Sequence, residues 1–399
     1  MTASEPIEPL YISTGQPADG KNKFFPREKI IKKIWKKLKR GEDLLLTAPR
    51  RVGKSSILHS IKKNPHDGYI VKYLSIMGVD NSNIYFKNIY NALLEDDEIY
   101  GFWKSFKEKR KLEAENAKEK ISSIGVEGVG LEGAIKTDYY EKTTELLKSL
   151  PKETKKVVFL LDEFPETLSN ISQYSHQEAI KFLQDNRDLR QLNHDADIQF
   201  VITGSIGLGN VVKQITDNKH LTNDLKLIEI PPLDNEEASL MIDRLCVGLK
   251  EDGISLIFSD EVKEYFFEKI VQNIPYYIMM IMDALGDEIA ESTVTNELID
   301  KTIDKITKSR SNADYFSNWK TRLKGAFEKK EEMMVIKILS HISKHEKMAY
   351  QEMKQIDNEI DLKALIEVLE YDGYISEQDE FYSFNSPLLK SWWSHRVAE

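Results

Sequence analysis

The sequence lacks the features that mark secreted, membrane-spanning and nucleic-acid-coating proteins. Its 399 residues include one cysteine, Cys246, which cannot support a disulfide framework and, within an apolar helical stretch, is expected in the core. No apolar run approaches the roughly 18 residues of a membrane helix, and residues 1–26 have no cationic start followed by an apolar stretch. The formal net charge of -10 argues against indiscriminate binding of nucleic acid. We therefore expect a cytoplasmic protein that does not bind membranes.

The first 230 residues alternate short apolar runs with helical patterns. The apolar runs span residues 44–46, 69–76, 157–161 and 198–203. Strands that are apolar throughout are typical of a parallel sheet covered by helices on both faces. The sequence therefore predicts an α/β nucleotide-binding domain over residues 1–230. A densely charged stretch followed by glycine-rich residues 124–131 predicts an insertion with a small hairpin at about residues 100–137.

Two further regions follow Pro231 and Pro232. Residues 231–325 show helical patterns, and Asp234 with Glu237 forms a helix-capping signal, so we expect an all-α domain there. Residues 326–399 contain three helical patterns and then a hairpin pattern at 374–384, an order typical of a winged helix. Winged helices often bind DNA, but residues 331–399 carry 14 Asp and Glu against 7 Lys and Arg. Contact with another protein therefore fits this region better than DNA binding.

A phosphate-binding loop follows the first apolar run. It matches the known pattern except that alanine replaces the first glycine, and its residues are Ala48, Pro49, Arg50, Arg51, Val52, Gly53, Lys54 and Ser55. Such a loop turns backbone N–H groups toward phosphate and leads into a helix N-terminus, whose partial positive charge favours an anion. Gly53 permits the close approach, and Lys54 is expected to reach the terminal phosphates. Ser55, flanked by Ser56, is expected to ligate Mg²⁺. ATP with Mg²⁺ is the expected ligand, and the alternative is a chance Gly-Lys-Ser at a strand–helix junction.

Two carboxylates and a hydroxyl stand at the ends of later strands. Asp162 and Glu163 follow the apolar run 157–161, at the edge of the sheet where open α/β folds bind ligands. Asp162 is expected to hold Mg²⁺ through water, and Glu163 to orient or deprotonate the attacking water. Thr203, followed by Gly204 and Ser205, is expected to contact the γ-phosphate or its water. The alternative is that the two acids are solvated turn residues. Arg187 and Arg190 precede this last strand and are candidates for an arginine finger.

These residues together resemble the archaeal-type ATPases of the signal-transducing STAND class, which are relatives of the AAA+ and origin-recognition ATPases. The resemblance covers most of the chain and rests on Phe25-Pro26-Arg27-Glu28, the loop at 48–55, Leu161-Asp162-Glu163-Phe164, and Thr203-Gly204-Ser205. In Asn273-Ile274-Pro275-Tyr276-Tyr277, which is similar to the family's Gly-x-Pro segment, the resemblance implies that Pro275 lies near the base of the nucleotide. Residues 384–389 with Trp392 are similar to the segment that closes the family's winged helix.

The resemblance implies a P-loop ATPase domain, a helical lid at 231–325 and a winged helix at 326–399. The chain departs from the family's pattern where Pro26 and Asn273 replace glycines. Asparagine tolerates a left-handed backbone better than most residues, so we expect Asn273 to keep the turn. No arginine occurs from residue 276 to 284, so we expect slow or partner-activated hydrolysis. The leading hypothesis is an ATP-driven conformational switch that contacts another protein or itself. The first alternative is a DNA-associated ATPase of the loader or mobile-element type, which would contact duplex DNA with the basic helix at 29–37 and the winged helix. The second is a nucleotide-bound scaffold without turnover.

Overall fold

The computed structural model describes residues 7–13, 22–122, 137–151, 155–192, 197–204, 207–216, 219–288, 291–308, 314–357 and 359–398. The chain forms two compact units. The first, here called the sheet unit, is built from Lys29–Thr47 and Leu58–Ile228. The second, here called the helical unit, is built from Met1–Glu28, Ala48–Ile57 and Glu229–Glu399. Within the described residues, no helix is both long and apolar enough to cross a membrane.

A central sheet organises the sheet unit. Its strands are β1 (Leu44–Thr47), β2 (Tyr69–Ser75), β3 (Lys156–Asp162), β4 (Ile198–Thr203) and β5 (Lys226–Glu229). They lie in the order β2-β3-β4-β1-β5, and the pairs β2–β3, β3–β4 and β1–β4 are parallel. Because these pairs are parallel, the carboxyl ends of β1 to β4 lie along one edge of the sheet. The strands predicted at the four apolar runs are thereby confirmed.

Helices alternate with these strands along the chain. They are α1 (Glu28–Leu38), α2 (Lys54–Lys63), α3 (Ser82–Leu94), α4 (Asp97–Ser122), α5 (Tyr139–Ser149), α6 (Phe164–Tyr174), α7 (His176–Gln191) and α8 (Leu208–Ile215). The lysines at 29, 32, 33 and 36 are exposed on α1, while Ile34, Trp35 and Leu38 are buried, as the amphipathic pattern predicts. The hairpin expected at 124–131 lies outside the described residues.

The core of the sheet unit is aromatic as well as aliphatic. Tyr85 of α3 packs edge-to-face against Phe182 of α7, with ring centroids 4.8 Å apart, and Phe164 stacks on Phe182 at 5.4 Å. The buried Tyr85 hydroxyl donates to Oδ1 of Asn186 at 2.6 Å, so its polar end is satisfied. Helices α3, α6 and α7 are therefore held together by closely packed aromatic side chains.

Most of the helical unit follows β5 in the chain. Its first helices are α9 (Asn235–Glu251), α10 (Asp260–Ile270), α11 (Pro275–Glu288), α12 (Asn296–Lys308) and α13 (Asp314–Ala326). The predicted capping signal is confirmed at α9, where the side chain of Asp234 accepts from the backbone of Glu237 and the side chain of Glu237 accepts from that of Asp234. Cys246, on α9, is half-buried rather than fully buried, and burial raises the pKa of its thiol to about 11.

The region 231–325 is not all-α, contrary to the sequence-based prediction. Two strands of three residues each, β6 (Ser255–Ile257) and β7 (Glu291–Thr293), pair in parallel. The backbone N–H of Val294 extends the pairing by donating to the carbonyl of Ile257 at 2.9 Å. Strands this short show no alternating pattern, and their pairing joins segments that are distant in sequence, so hydrophobic periodicity does not indicate them.

The last part of the helical unit combines helices with a small antiparallel sheet. Its elements are α14 (Lys329–His345), β8 (Met348–Ala349), α15 (Tyr350–Lys354), α16 (Leu362–Tyr371), β9 (Ile375–Gln378), β10 (Phe381–Phe384) and α17 (Pro387–Arg396). The strands lie in the order β8-β10-β9, with β10 antiparallel to both neighbours. The helices and the hairpin fall where the sequence places them. The domain boundaries at 230 and 325 and the winged-helix assignment stay predictions.

Candidate functional site

The residues of the phosphate loop form a turn between a strand and a helix. Lys54 is the first residue of α2, and Gly53, just before it, has φ +98°, in the region that favours glycine. Arg51 also has a left-handed backbone, with φ 62°. Ala48 does not have a positive φ, so alanine can stand where the pattern has glycine. The tight turn therefore depends on Gly53 and Arg51 rather than on residue 48.

The amino group of Lys54 lies across the mouth of this turn. Its Nζ donates to the backbone carbonyl of Ala48 at 3.2 Å, which holds the side chain over the loop. Ser55 is half-buried, Ser56 is buried, and the backbone N–H of Ile57 donates to the carbonyl of Gly53 at 3.0 Å. The first turn of α2 is thus formed, and its N-terminal backbone groups have the orientation that favours an anion.

Asp162 ends β3 at the carboxyl edge of the sheet. Only 4% of its surface is exposed, and its Oδ1 accepts no hydrogen bond from the described residues. Its Oδ2 accepts from the hydroxyl of Tyr73 at 3.1 Å. A buried carboxylate oxygen without a protein partner is costly unless water or a cation satisfies it. Carboxylate oxygens are also ligands that Mg²⁺ prefers. Asp162 therefore fits the metal-binding role expected of it.

Glu163 immediately follows and has a strained backbone. Its φ of 65° and ψ of 35° lie in the left-handed region, which is uncommon for a residue with a side chain. It occupies the N-cap position of α6 without making a side-chain capping hydrogen bond, and it is half-buried. The backbone turn from β3 into α6, and not a capping hydrogen bond, therefore determines the direction of the Glu163 side chain.

Thr203 ends β4, which lies between β1 and β3. It is paired with Leu46 of β1, and the preceding residue of β4, Ile202, is paired with Leu161 of β3. Thr203 is fully buried, and its hydroxyl oxygen has no hydrogen-bond partner among the described residues. Asp162 and Thr203 therefore stand on neighbouring strands at the same edge of the sheet, each with an oxygen that no described residue binds. Ser205, expected beside Thr203, lies outside the described residues.

Arg190 is not available as an arginine finger in this structure. It is 4% exposed, its Nε donates to Asp224, and its Nη2 donates to the carbonyl of Leu221 at 2.8 Å. A buried guanidinium whose charge and hydrogen bonds are satisfied within the protein stabilises the fold and does not contact another molecule. Arg187 is half-buried on the same helix.

Arg27 is buried in the helical unit. Its Nη2 donates to the carbonyl of Pro231 at 2.7 Å, whereas its Nε and Nη1 have no partner among the described residues. Burial lowers the pKa of this guanidinium, and the charges of Glu237 and Asp234 oppose that shift. Two nitrogens of Arg27 therefore remain as donors that no described residue uses.

The segment before α11 differs from the expectation drawn from its sequence. Asn273, which replaces the family's glycine, does not have a left-handed backbone; Val271 does, with φ 60° and ψ -44°. Asn273 instead donates from its side chain to Oδ1 of Asn235 at 2.8 Å. Pro275 is the first residue of α11 and is half-buried, so it begins the helix in the position that proline favours.

The two arginines of the phosphate loop lie against aromatic rings of the helical unit. The guanidinium carbon of Arg51 is 3.8 Å from the ring centre of Tyr276, the residue after Pro275. That of Arg50 is 5.5 Å from the ring centre of Trp319, on α13. Both distances are within the range of cation–π attraction. Sequence patterns did not indicate these contacts, because they join the loop to residues more than two hundred positions away.

Comparison with solved structures identifies relatives in fold. The chain is similar to a Walker-type ATPase of Pyrococcus abyssi, with a TM-score of 0.56 and 16% identity, covering 95% of this chain and 98% of that one. It is also similar to the ORC2 protein of Aeropyrum pernix in ADPNP–ADP complexes, with a TM-score of 0.53, 10% identity and 95% of each chain covered. No family model matches the chain, and no curated protein matches its sequence. The chain therefore shares the α/β fold of these two structures.

Proposed function

We propose that the protein is an ATP-driven conformational switch that binds ATP with Mg²⁺ at residues 48–55 and hydrolyses it slowly or on contact with a partner. The domains would be a P-loop ATPase domain at 1–230, a lid at 231–325 and a winged helix at 326–399. The observation that supports a switch is the contact of Arg50 and Arg51 with Trp319 and Tyr276. The loop expected to bind phosphate is thereby connected to the regions expected to move.

Each candidate residue has a distinct role in this proposal. Lys54 would neutralise the terminal phosphates, while the backbone N–H groups of the loop and of Ser56 would cradle them. Ser55 and Asp162 would hold Mg²⁺, which supplies positive charge to the phosphates when it is bound. Glu163 would orient or deprotonate the attacking water, and Thr203 would contact the γ-phosphate or that water. Pro275 would lie near the base.

Competition for the arginines explains how binding would alter conformation. An arginine over an aromatic ring is held by roughly 0.5–2 kcal/mol, whereas a phosphate offers charge-assisted, bidentate hydrogen bonds. ATP would therefore draw Arg51 from Tyr276 on α11 and Arg50 from Trp319 on α13. Because the helices make different contacts with and without these arginines, ATP favours one arrangement over the other.

A second connection runs toward the last domain. The hydroxyl of Tyr374 donates to the carbonyl of Trp319 at 2.5 Å, and the two rings pack edge-to-face with centroids 4.8 Å apart. The buried carboxyl of Asp372 lies two residues before Tyr374, and its pKa depends on nearby positive charges, one of which belongs to Lys54 of the phosphate loop. Burial raises its pKa to about 7, and the positive charges of Arg322 and Lys54 oppose the shift. Phosphate bound at Lys54 would weaken that interaction.

The surface of the winged-helix region favours a protein partner or self-association over DNA. On α16 the exposed charged residues are Lys363, Glu367 and Glu370, and on the hairpin Glu377, Asp379 and Glu380 are exposed. DNA binding needs Lys and Arg to neutralise phosphates, so this acidic surface disfavours a duplex. The exposed lysines of α1 keep a DNA-associated ATPase as the second candidate. A steep loss of duplex affinity with salt would support that second candidate.

The first experiment compares wild type, Lys54→Ala and Glu163→Gln for ATP affinity and phosphate release, with and without duplex DNA. Lys63→Ala, an exposed lysine of the same helix, and Glu166→Gln, on α6, are the matched controls. We expect Lys54→Ala to lose ATP binding and Glu163→Gln to bind ATP without releasing phosphate. Binding without turnover in wild type would favour either a switch that needs its partner for hydrolysis or the scaffold, the third candidate. The switch would be abandoned if ATP changed neither protease sensitivity nor hydrogen exchange.

A further inference from the structure

The carboxylate of Asp162 has two oxygens in different environments. The hydroxyl of Tyr73, on β2, donates to Oδ2 at 3.1 Å. Oδ1 is buried and has no hydrogen-bond partner among the described residues. A phenol is protonated at neutral pH, so the Tyr73 hydroxyl is the donor in this hydrogen bond. Tyr73 therefore occupies one oxygen and leaves the other for a different partner.

The register of the sheet explains why Tyr73 reaches Asp162. Strands β2 and β3 are parallel, and Ser75 lies opposite Asp162. Side chains alternate along a strand, so Tyr73 and Ser75 are on the same face and Tyr73 is a diagonal neighbour of Asp162. A register shift of one residue would move Tyr73 to the other face. The hydrogen bond is thus built into the strand pairing.

Helix α2 restricts the ring that carries this hydroxyl. The ring centroid of His59 is 4.3 Å from that of Tyr73, with the planes inclined by 41°. The ammonium of Lys62 lies 5.9 Å from the centre of the same ring. Packing of this kind limits the rotation of a side chain and therefore fixes the direction of its hydrogen bond. His59 follows Ser55 by about one turn of the same helix.

We infer that Tyr73 is a positioning residue for the metal-binding carboxylate, an inference that rests on the proposed function. By holding Oδ2, the phenol fixes the rotation of the Asp162 carboxylate and keeps Oδ1 as the oxygen offered to Mg²⁺. Outer-shell partners of metal ligands act in this way, and their loss weakens metal binding. Without the hydroxyl the carboxylate can rotate. Cation binding must then restrict this rotation as well, and it is weaker as a result. Tyr73 thus strengthens Mg²⁺ binding without supplying a ligand itself.

The test uses Tyr73→Phe, which removes the hydroxyl and keeps the ring. Tyr69→Phe is the matched control, because Tyr69 lies on the same strand and face and its ring packs against Trp35 at 5.2 Å. For each protein, Mg²⁺ is titrated against binding of a fluorescent ATP analogue and against ATP hydrolysis, and Tm is measured without ligands. Binding of the analogue in excess chelator reports nucleotide affinity without the cation.

We expect Tyr73→Phe to need roughly 10-fold more Mg²⁺ for half-maximal binding of the analogue. Affinity in chelator and kcat at saturating Mg²⁺ should match wild type, since no reacting group is lost. Tyr69→Phe should show the wild-type Mg²⁺ midpoint. A lower Tm for Tyr73→Phe with an unchanged midpoint would reject the positioning role alone. Wild type that does not bind the analogue at any Mg²⁺ concentration would overturn the proposed function and this inference together.

Discussion

Gly248 lies directly beneath the backbone carbonyl of Leu10. A methyl carbon built on Gly248 would be 2.3 Å from that carbonyl oxygen and 3.0 Å from its carbon. The backbone N–H of Leu10 donates to the carbonyl of Arg244 at 2.8 Å, one turn earlier in α9, and the hydroxyl of Tyr11 donates to Glu251 at 2.6 Å. The segment around Leu10 is therefore seated on α9 at a distance that only glycine permits.

We predict that Gly248→Ala lowers the free energy of unfolding by about 1–3 kcal/mol, because the segment around Leu10 must move away from α9. The matched control is Gly101→Ala, in the interior of α4, where an added carbon meets nothing within 4 Å. There the same change should stabilise by about 0.5–1 kcal/mol, through helix propensity. Urea unfolding measures both. Equal effects at the two sites would contradict the close contact.

Val271 offers a test of backbone strain. It is 64% exposed and combines φ 60° with a branched side chain, a conformation that glycine adopts far more easily. Val271→Gly should therefore be more stable than Val271→Ala by about 1 kcal/mol, because alanine retains the carbon that causes the strain. Thermal unfolding of the pair checks this. If alanine stabilises as much as glycine, loss of an exposed apolar side chain, and not strain relief, is the cause.

The raised pKa of Asp372 predicts a dependence of stability on pH. An aspartate in the unfolded chain has a pKa of 3.8, and burial raises that of Asp372 to about 7. Between these values the folded protein keeps a proton that the unfolded chain has released, so the free energy of unfolding falls as pH rises. The slope is at most about 1.4 kcal/mol per pH unit for one group.

Asp372→Asn should therefore lose less stability than wild type as pH rises from about 4 to about 7. Asp379→Asn, which removes the same charge from an exposed hairpin position, should keep the wild-type dependence. Urea unfolding across this interval gives the comparison. Parallel curves for Asp372→Asn and wild type would show that Asp372 is ionised in the folded protein throughout the interval.

The contact between Arg51 and Tyr276 should compete with nucleotide. Tyr276→Leu removes the ring that attracts the guanidinium, so we expect it to bind ATP roughly two- to fivefold more tightly. Tyr265→Leu is the control, because its ring also lies against a cation, Lys269 at 4.9 Å, but that cation lies outside the phosphate loop. A double-mutant cycle with Arg51→Ala, measured by unfolding without ATP, should give a coupling energy of about 0.5–2 kcal/mol. Weaker ATP binding by Tyr276→Leu would refute the competition.

The sequence predicts best where the chemistry depends on contiguous residues. The loop at 48–55 and the pair Asp162 and Glu163 are recognisable because a strand, a turn and a helix start must follow one another in the chain. The four strands of the sheet are predicted for the same reason, since each is a local apolar run. The structure adds that Arg51 and Glu163, two residues of the expected site, have left-handed backbones that no sequence pattern indicates.

Contacts that depend on register or on distant segments are not predictable in this way. Tyr73 and Asp162 are 89 residues apart, and their hydrogen bond follows from the pairing of β2 with β3. The strands β6 and β7 are too short to show a periodic pattern, and each forms by pairing with the other. At the start of α11, the sequence suggests that Asn273 takes the left-handed turn, whereas Val271 takes it and Asn273 is held by Asn235.

The seating of Leu10 on α9 also bears on the order in which the protein can fold during synthesis. The side chain of Arg244 donates to the carbonyl of Glu8, a residue 236 positions earlier. Domains generally fold as units as they emerge from the ribosome, and contacts this distant in sequence form slowly. The segment around Leu10 is synthesised before α9, so it cannot form these contacts until α9 has also been synthesised. A nascent chain stalled before residue 244 should therefore leave this segment open to protease, although most of the sheet unit has already emerged.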